Sequence, residues 1–154
     1  MIIGIDPGKS GSIVVVSDCK TDVDILKFQN ATVTDVWRFL AKFEGLAAVI
    51  ESVHATPQMG VTSAFKFGKC SGMIDAAVVA AGVRPHYVSP QRWQRKLGLI
   101  SKGRTIGIGD TEKKNKNKTR AQELFPAIKV THAIADALLL AHYGQTFVYL
   151  GEVA

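Results

Sequence analysis

Three acidic side chains and one histidine sit where a chain can bring reactive groups together. Asp6 closes the apolar run that begins at Met1, Glu51 closes Ala47-Ala48-Val49-Ile50, and Asp136 follows His132 by four residues. Strand ends open onto solvent while strand middles are covered. A carboxylate at each of two strand ends can therefore meet a His/Asp pair that shares one face of a late helix. Clustered carboxylate oxygens suit hard divalent cations, and two such cations can activate water and stabilise an in-line displacement at phosphorus. The chemistry within reach is metal-assisted phosphodiester hydrolysis. Taken singly, Asp6 is also a turn former ahead of Pro7, Glu51 a solvated rim residue and His132 a helix-start residue. Asp136 is harder to dismiss, because a carboxylate in an apolar helical run is costly without a partner.

The elements that must position these residues read as one α/β domain spanning residues 1–154, with a mobile basic loop at about 101–118. Residues 2–6, 11–17 and 23–28 are apolar and β-branched enough for a three-strand meander turned at Pro7-Gly8, and 46–50 and 84–88 are further strands. Thr34 or Asp35 can cap a helix over about 35–44, and Gly60 and Gly82 bracket a long helix over about 61–82. Ser89-Pro90 is a cap followed by proline at the first helical position, opening a short helix that stops at Gly98. Helices over about 116–125 and 131–144 complete the domain. In the long helix Gly68, Gly72, Ala76 and Ala80 recur every fourth residue, a stripe that permits close backbone approach, either to the domain's own sheet or across a dimer seam.

Composition bounds the class. At 154 residues, 47% hydrophobic and 21% charged, the chain is long enough for a real core and ordinary for a globular protein. No apolar run is long enough to span a membrane and no secretory signal pattern precedes Asp6, so a cytoplasmic location is expected. Cys19 and Cys70 have no metal-type spacing, which leaves two free thiols. The net charge of +6 is unevenly spread: residues 84–129 hold 12 basic and 3 acidic side chains, while residues 1–83 hold 7 and 8. A single-sign block beside an acidic site has the form of a phosphate-backbone footprint, though a solvated loop has the same composition.

Four stretches carry a family resemblance: Ile2-Ile3-Gly4-Ile5-Asp6-Pro7-Gly8, the strand-end Ala48-Val49-Ile50-Glu51, Ala64 through Gly72, and Ala135-Asp136-Ala137-Leu138. In this order and spacing they resemble the RuvC family of Holliday junction resolvases. Val88-Ser89-Pro90 to Trp93, Leu124-Phe125-Pro126 and the helix from His132 are similar in particular to phage and plant chloroplast resolvases. The resemblance covers nearly the whole chain and implies an RNase H-like α/β fold, a five-stranded mixed sheet flanked by helices. It also implies a homodimer that nicks two symmetry-related strands of a four-way DNA junction, with two Mg²⁺ per site and Mn²⁺ as a substitute. Carried over, Asp6 matches the metal-bridging aspartate of the first strand, Glu51 the fourth-strand glutamate and Asp136 the last-helix carboxylate. Several bacterial members carry an acid where this chain has Ala133. The plant and phage group has a histidine where this chain has His132, which can ligate metal, orient water or protonate the leaving 3′ oxygen.

Candidate DNA contacts are Lys9 and Ser10 in the first turn, His54 and Met59 in the loop after Glu51, Arg92 and Arg95 beside Trp93, and Lys102, Arg104, Lys113, Lys114, Lys116 and Lys118 in the basic block. Trp93 can stack on a base or simply pack its helix. Gly8-Lys9-Ser10 imitates the end of a nucleotide-binding loop, but Ile3 occupies the position of the required first glycine. His86, His54 and His142 read as rim, loop and helix surface. The rival functions are a related nuclease acting on RNA or other branched DNA, and a junction-binding scaffold without turnover; an actin-like ATPase needs a far longer chain.

Overall fold

Alternation along the strands sorts the side chains onto two faces and leaves the acids at one end. The computed structural model describes residues 1–8, 10–52, 54, 59–100 and 110–148. Of the candidate contacts, Lys9, Lys102 and Arg104 lie outside the described residues. β1 (Ile2–Asp6), β2 (Ser12–Val16) and β3 (Val23–Lys27) form the antiparallel meander, and β4 (Ala47–Glu51) and β5 (Arg84–Val88) join in parallel, in the order β3-β2-β1-β4-β5. This is the mixed five-stranded sheet that the resemblance implies. Its parallel pairs need crossover connections, and helices supply them.

Ile3, Ile5, Ile13, Val15, Ala48 and Ile50 face α1 (Val33–Leu40) and α2 (Val61–Ala80). Ile2, Val14, Val16 and Val49 face the other way, toward α3 (Pro90–Lys96), α4 (Asp110–Leu124) and α5 (His132–Tyr143). Because side chains alternate with period two, Asp6 and Glu51 belong to the α5 face. Gly4 lets α5 approach: a Cβ there would collide with the Ala137 carbonyl oxygen and lie 2.6 Å from the Ala141 amide nitrogen. Packing of α5 against β1 thus rests on a missing side chain, and it sets how far Asp136 stands from Asp6.

Four expectations are corrected. The cap of α1 is Thr32, whose hydroxyl accepts from the Asp35 amide while the Asp35 side chain accepts from the Thr32 amide, so the helix starts two residues earlier and ends at Leu40. The segment expected as loop is helical from Asp110 onward; its polar composition hid the period, because Asn117, Ala121 and Leu124 form its inward stripe. The glycine stripe of α2 does not pack on the sheet, since a Cβ on Gly68 or Gly72 would meet nothing within 4 Å. His142 is half-buried rather than on the helix surface: its Nδ1 stands 3.0 Å from Lys20 Nζ, and burial holds its pKa down at about 4. A neutral imidazole there accepts from the ammonium, tying the β2–β3 turn to α5.

Candidate active site

The β1–β2 turn is built around Asp6. Gly8 donates its amide to Asp6 Oδ1 at 3.2 Å, and Gly11 N donates to Gly8 O at 2.8 Å. Gly11 leaves room for the Asp6 backbone, whose carbonyl a side chain at position 11 would strike. Ser12 pairs directly with Asp6 across the strands, and its wholly buried hydroxyl finds no partner among the described residues.

Glu51 stands on the adjacent strand end, one step beyond the Ile5–Ile50 pair. Its Oε1 accepts the indole N–H of Trp93 at 3.1 Å. Ser89 caps α3 by accepting from Arg92 N, Pro90 starts the helix, and Trp93 follows into the core with no exposed surface. Asp136 projects from α5, and its Oδ1 accepts from Asn117 Nδ2 of α4 at 2.8 Å. Asp6, Ser10, His132 and Asp136 line an open cleft of about 230 Å³, with Lys114 at its border.

Electrostatics tie the acids together. Burial first, then repulsion from Asp136, raises Asp6 to about 6, against the opposing pull of the Gly8 amide and Lys114. Burial also raises Glu51 to about 7; the Trp93 hydrogen bond opposes it, and the charges of Asp6 and Asp136 add to it. Asp136 is raised by burial, with Asn117, Lys113, Lys114 and His132 opposing. Each carboxylate is therefore held in a place where its negative charge is under-compensated, which is the condition a cation relieves.

The donor chemistry fits a hard divalent ion: three carboxylates, each with one oxygen accepting an N–H, plus the Ser12 hydroxyl beside Asp6 that finds no partner among the described residues. Asp6 and Asp136 share the cleft, and Glu51 is coupled to both through charge from the neighbouring strand end. Glu51 does not line the cleft, and among the described residues no three His, Cys, Asp or Glu side chains form one coordination group. Glu51 instead turns an oxygen toward Trp93.

The remaining candidates divide. Lys113 and Lys114 lie close enough to the acids to lower their pKa values. Lys116 donates to the Leu99 carbonyl, so its ammonium already has an acceptor. Lys118 borders a separate open groove with Gln122 and Lys129. Arg92 and Arg95 are exposed on α3. His54 is exposed, with Nε2 3.4 Å from Ser52 Oγ, and Met59 is half-buried. Trp93 is too deeply buried to stack on a base. Its hydrogen bond to Glu51 and that of Asn117 to Asp136 were not expected from the sequence. A signal existed for each: a buried indole N–H must find an acceptor, and Asn117 shares a stripe with Ala121 and Leu124.

A pH dependence of stability follows. The unfolded carboxyls ionise near their ordinary values of 3.8 and 4.5, whereas folded Asp6 and Glu51 hold their protons to about 6 and about 7. The folded state binds more protons in that window, so the two groups lower stability progressively as pH rises from about 4 to about 7, and their penalty is complete above it. In metal-free buffer the melting temperature of wild type, relative to an Asp6→Asn/Glu51→Gln double variant, should decline across pH 4–7. Mg²⁺ should recover it at pH 8, because a cation bound only by the folded state stabilises it. A difference that stays flat across that range would show the acids uncoupled from folding.

No family model matches the chain, and no curated protein does. Solved structures do. The fold is similar to that of Thermus thermophilus RuvC in complex with Holliday junction substrate, with a TM-score of 0.65 at 18% identity over 97% of this chain and 96% of that one. It is likewise similar to a Thermus thermophilus RuvC structure, with a TM-score of 0.64 at 19% identity over the same shares. What the molecules share is the fold: this chain has the RuvC-like form of the RNase H-like α/β architecture. Among the described residues no helix is long and apolar enough to cross a membrane.

Proposed function

We propose that this protein is a divalent-metal-dependent endonuclease that resolves four-way DNA junctions as a homodimer. The observation that carries the reading is the gathering of Asp6 and Glu51, at adjacent strand ends of a RuvC-like fold, with Asp136 of α5 near enough to couple to both by charge and His132 in the same cleft as Asp6 and Asp136. Asp6, Glu51 and Asp136 would hold the cations, Mg²⁺ with Mn²⁺ as a substitute. When bound, such ions supply charge neutralisation at the entering and leaving oxygens. His132 serves as the proton-handling or orienting group at the cleft wall, four residues from Asp136. Lys114, bordering the cleft, attracts the scissile phosphate, and Lys113 reinforces it.

The homodimer reading is supported by α2. Val61 is 88% exposed and Phe65 73% exposed, and both continue the line of Gly68 and Gly72, which have open space before them. A second copy of α2 would cover this face, and a C2 pair places one site on each of two symmetry-related strands. His54 and Met59, in the segment between Glu51 and α2, would then flank the strand-exchange point.

Incubating the full chain and Mg²⁺ with a four-way junction, a flap, plain duplex and an RNA–DNA hybrid tests the reading. Paired nicks in the junction alone are expected. Preferential cutting of the hybrid would favour the RNA-directed nuclease, and tight junction binding without any cutting would favour the scaffold.

The basic block makes a separate prediction. If Lys113, Lys114 and Lys118 neutralise backbone phosphates, log affinity for a junction should fall with log salt by roughly 0.9 per phosphate contact on duplex arms. Replacing all three by alanine should lower that slope by about 2–3. An unchanged slope would reduce the block to a solvated helix face.

A further inference from the structure

Two uncharged donors reach the acids from separate helices. Trp93 of α3 gives its indole N–H to Glu51 at 3.1 Å, and Asn117 of α4 gives its amide to Asp136 at 2.8 Å. Both are among the most enclosed polar-tipped side chains of the chain: Trp93 has no exposed surface and Asn117 is 3% exposed. Leaving a buried N–H unmatched is costly, so each bond restrains donor and acceptor alike. The indole offers a donor and no acceptor, so toward Glu51 it can only donate.

We propose that Trp93 and Asn117 are positioning residues that hold Glu51 and Asp136 oriented for divalent-cation binding. The proposal rests on the endonuclease reading of the same site. A lysine or arginine in either place would orient the carboxylate but also cancel its charge. A neutral N–H occupies one oxygen, fixes the plane of the group and leaves the full negative charge for a cation. Glu51 and Asp136 come from different elements, a strand end and a helix, so without these bonds each would rotate independently. Asn117 acts at a second level. It lies three and four residues after Lys114 and Lys113 on the same helix, so its bond to Asp136 also sets the rotation of α4 that brings those lysines near the acids.

The test measures Mn²⁺ binding to the DNA-free full chain at pH 8, from the loss of the free-ion electron paramagnetic resonance signal, for wild type, Trp93→Phe and Asn117→Leu. Outer partners of this kind typically change metal affinity by 10–100-fold when removed. Each variant should raise the Mn²⁺ dissociation constant by about 10-fold or more, and the Mg²⁺ concentration for half-maximal nicking should move up with it. Circular dichroism should remain native, and Trp93→Phe should bind junctions normally without metal. Wild-type Mn²⁺ affinity and an unchanged Mg²⁺ curve in the folded variants would overturn the proposal and make both residues packing groups only. Should Trp93→Phe fail to fold, Asn117→Leu decides, because an apolar side chain of similar size at a helical position keeps the packing. A wild type that binds no Mn²⁺ and nicks nothing overturns the endonuclease reading and the positioning role together. That outcome differs from variants that bind as tightly as a competent wild type.

Discussion

Asp6→Asn should bind a four-way junction with near wild-type affinity, cut it at least about 10³-fold more slowly, and melt at a higher temperature than wild type in metal-free buffer at pH 8. The three effects share one cause. The amide keeps the shape and the Oδ1 that accepts the Gly8 N–H, so the β1–β2 turn survives. It removes the negative charge that burial and Asp136 disfavour, and a group raised to about 6 is fully ionised and fully penalised at pH 8. The charge that destabilises the protein in metal-free buffer is the charge that would grip a cation. Glu51→Gln should behave alike, and His132→Ala should lose most activity with little change in metal-free melting. Turnover by Asp6→Asn within tenfold of wild type would remove the mechanism. Lower metal-free stability at pH 8 would show that Asp6 makes a favourable contact outweighing its burial.

Gly4→Ala should be strongly destabilising. The added methyl would run into the Ala137 carbonyl and close on the Ala141 amide, and both obstacles are backbone that cannot rotate away. Overpacking of this kind costs about 3 kcal/mol or more, which for a domain of this size lowers the melting temperature by roughly 6–12 °C. Activity should fall further than stability alone dictates, because pushing α5 off β1 separates Asp136 and His132 from Asp6. Gly68→Ala and Gly72→Ala form the control. Their Cβ positions are open, so better helix propensity should stabilise the isolated chain by up to about 1 kcal/mol each. If α2 is the dimer seam, the same methyls should weaken self-association in sedimentation runs. A Gly4→Ala protein that melts with wild type would refute the close β1–α5 contact.

Much of this molecule is determined locally. The apolar runs ending at Asp6 and Glu51 read as buried strands, and Pro7-Gly8 as a turn, from a few residues of chain, whereas their meeting as adjacent strand ends is the work of the parallel β1–β4 pairing. Gly60, Gly82 and Ser89-Pro90 mark helix ends because a left-handed residue, a cap and a missing N–H act within one turn of chain. The i,i+4 spacing of His132 and Asp136 likewise fixes a shared helix face. Only tertiary structure decided the rest, because it depends on what lies across the sheet. The start of α4 is invisible in a polar segment until Asn117, Ala121 and Leu124 have something to face. The stripe of Gly68 and Gly72 permits close packing, yet here it opens away from the sheet, while Gly4 in β1 is a glycine against which α5 packs. Trp93 and Asn117 reach Glu51 and Asp136 from 42 and 19 residues away along the chain. Such partners are set by how helices seat on a sheet, so residue type announces the need for an acceptor, and the fold alone names it.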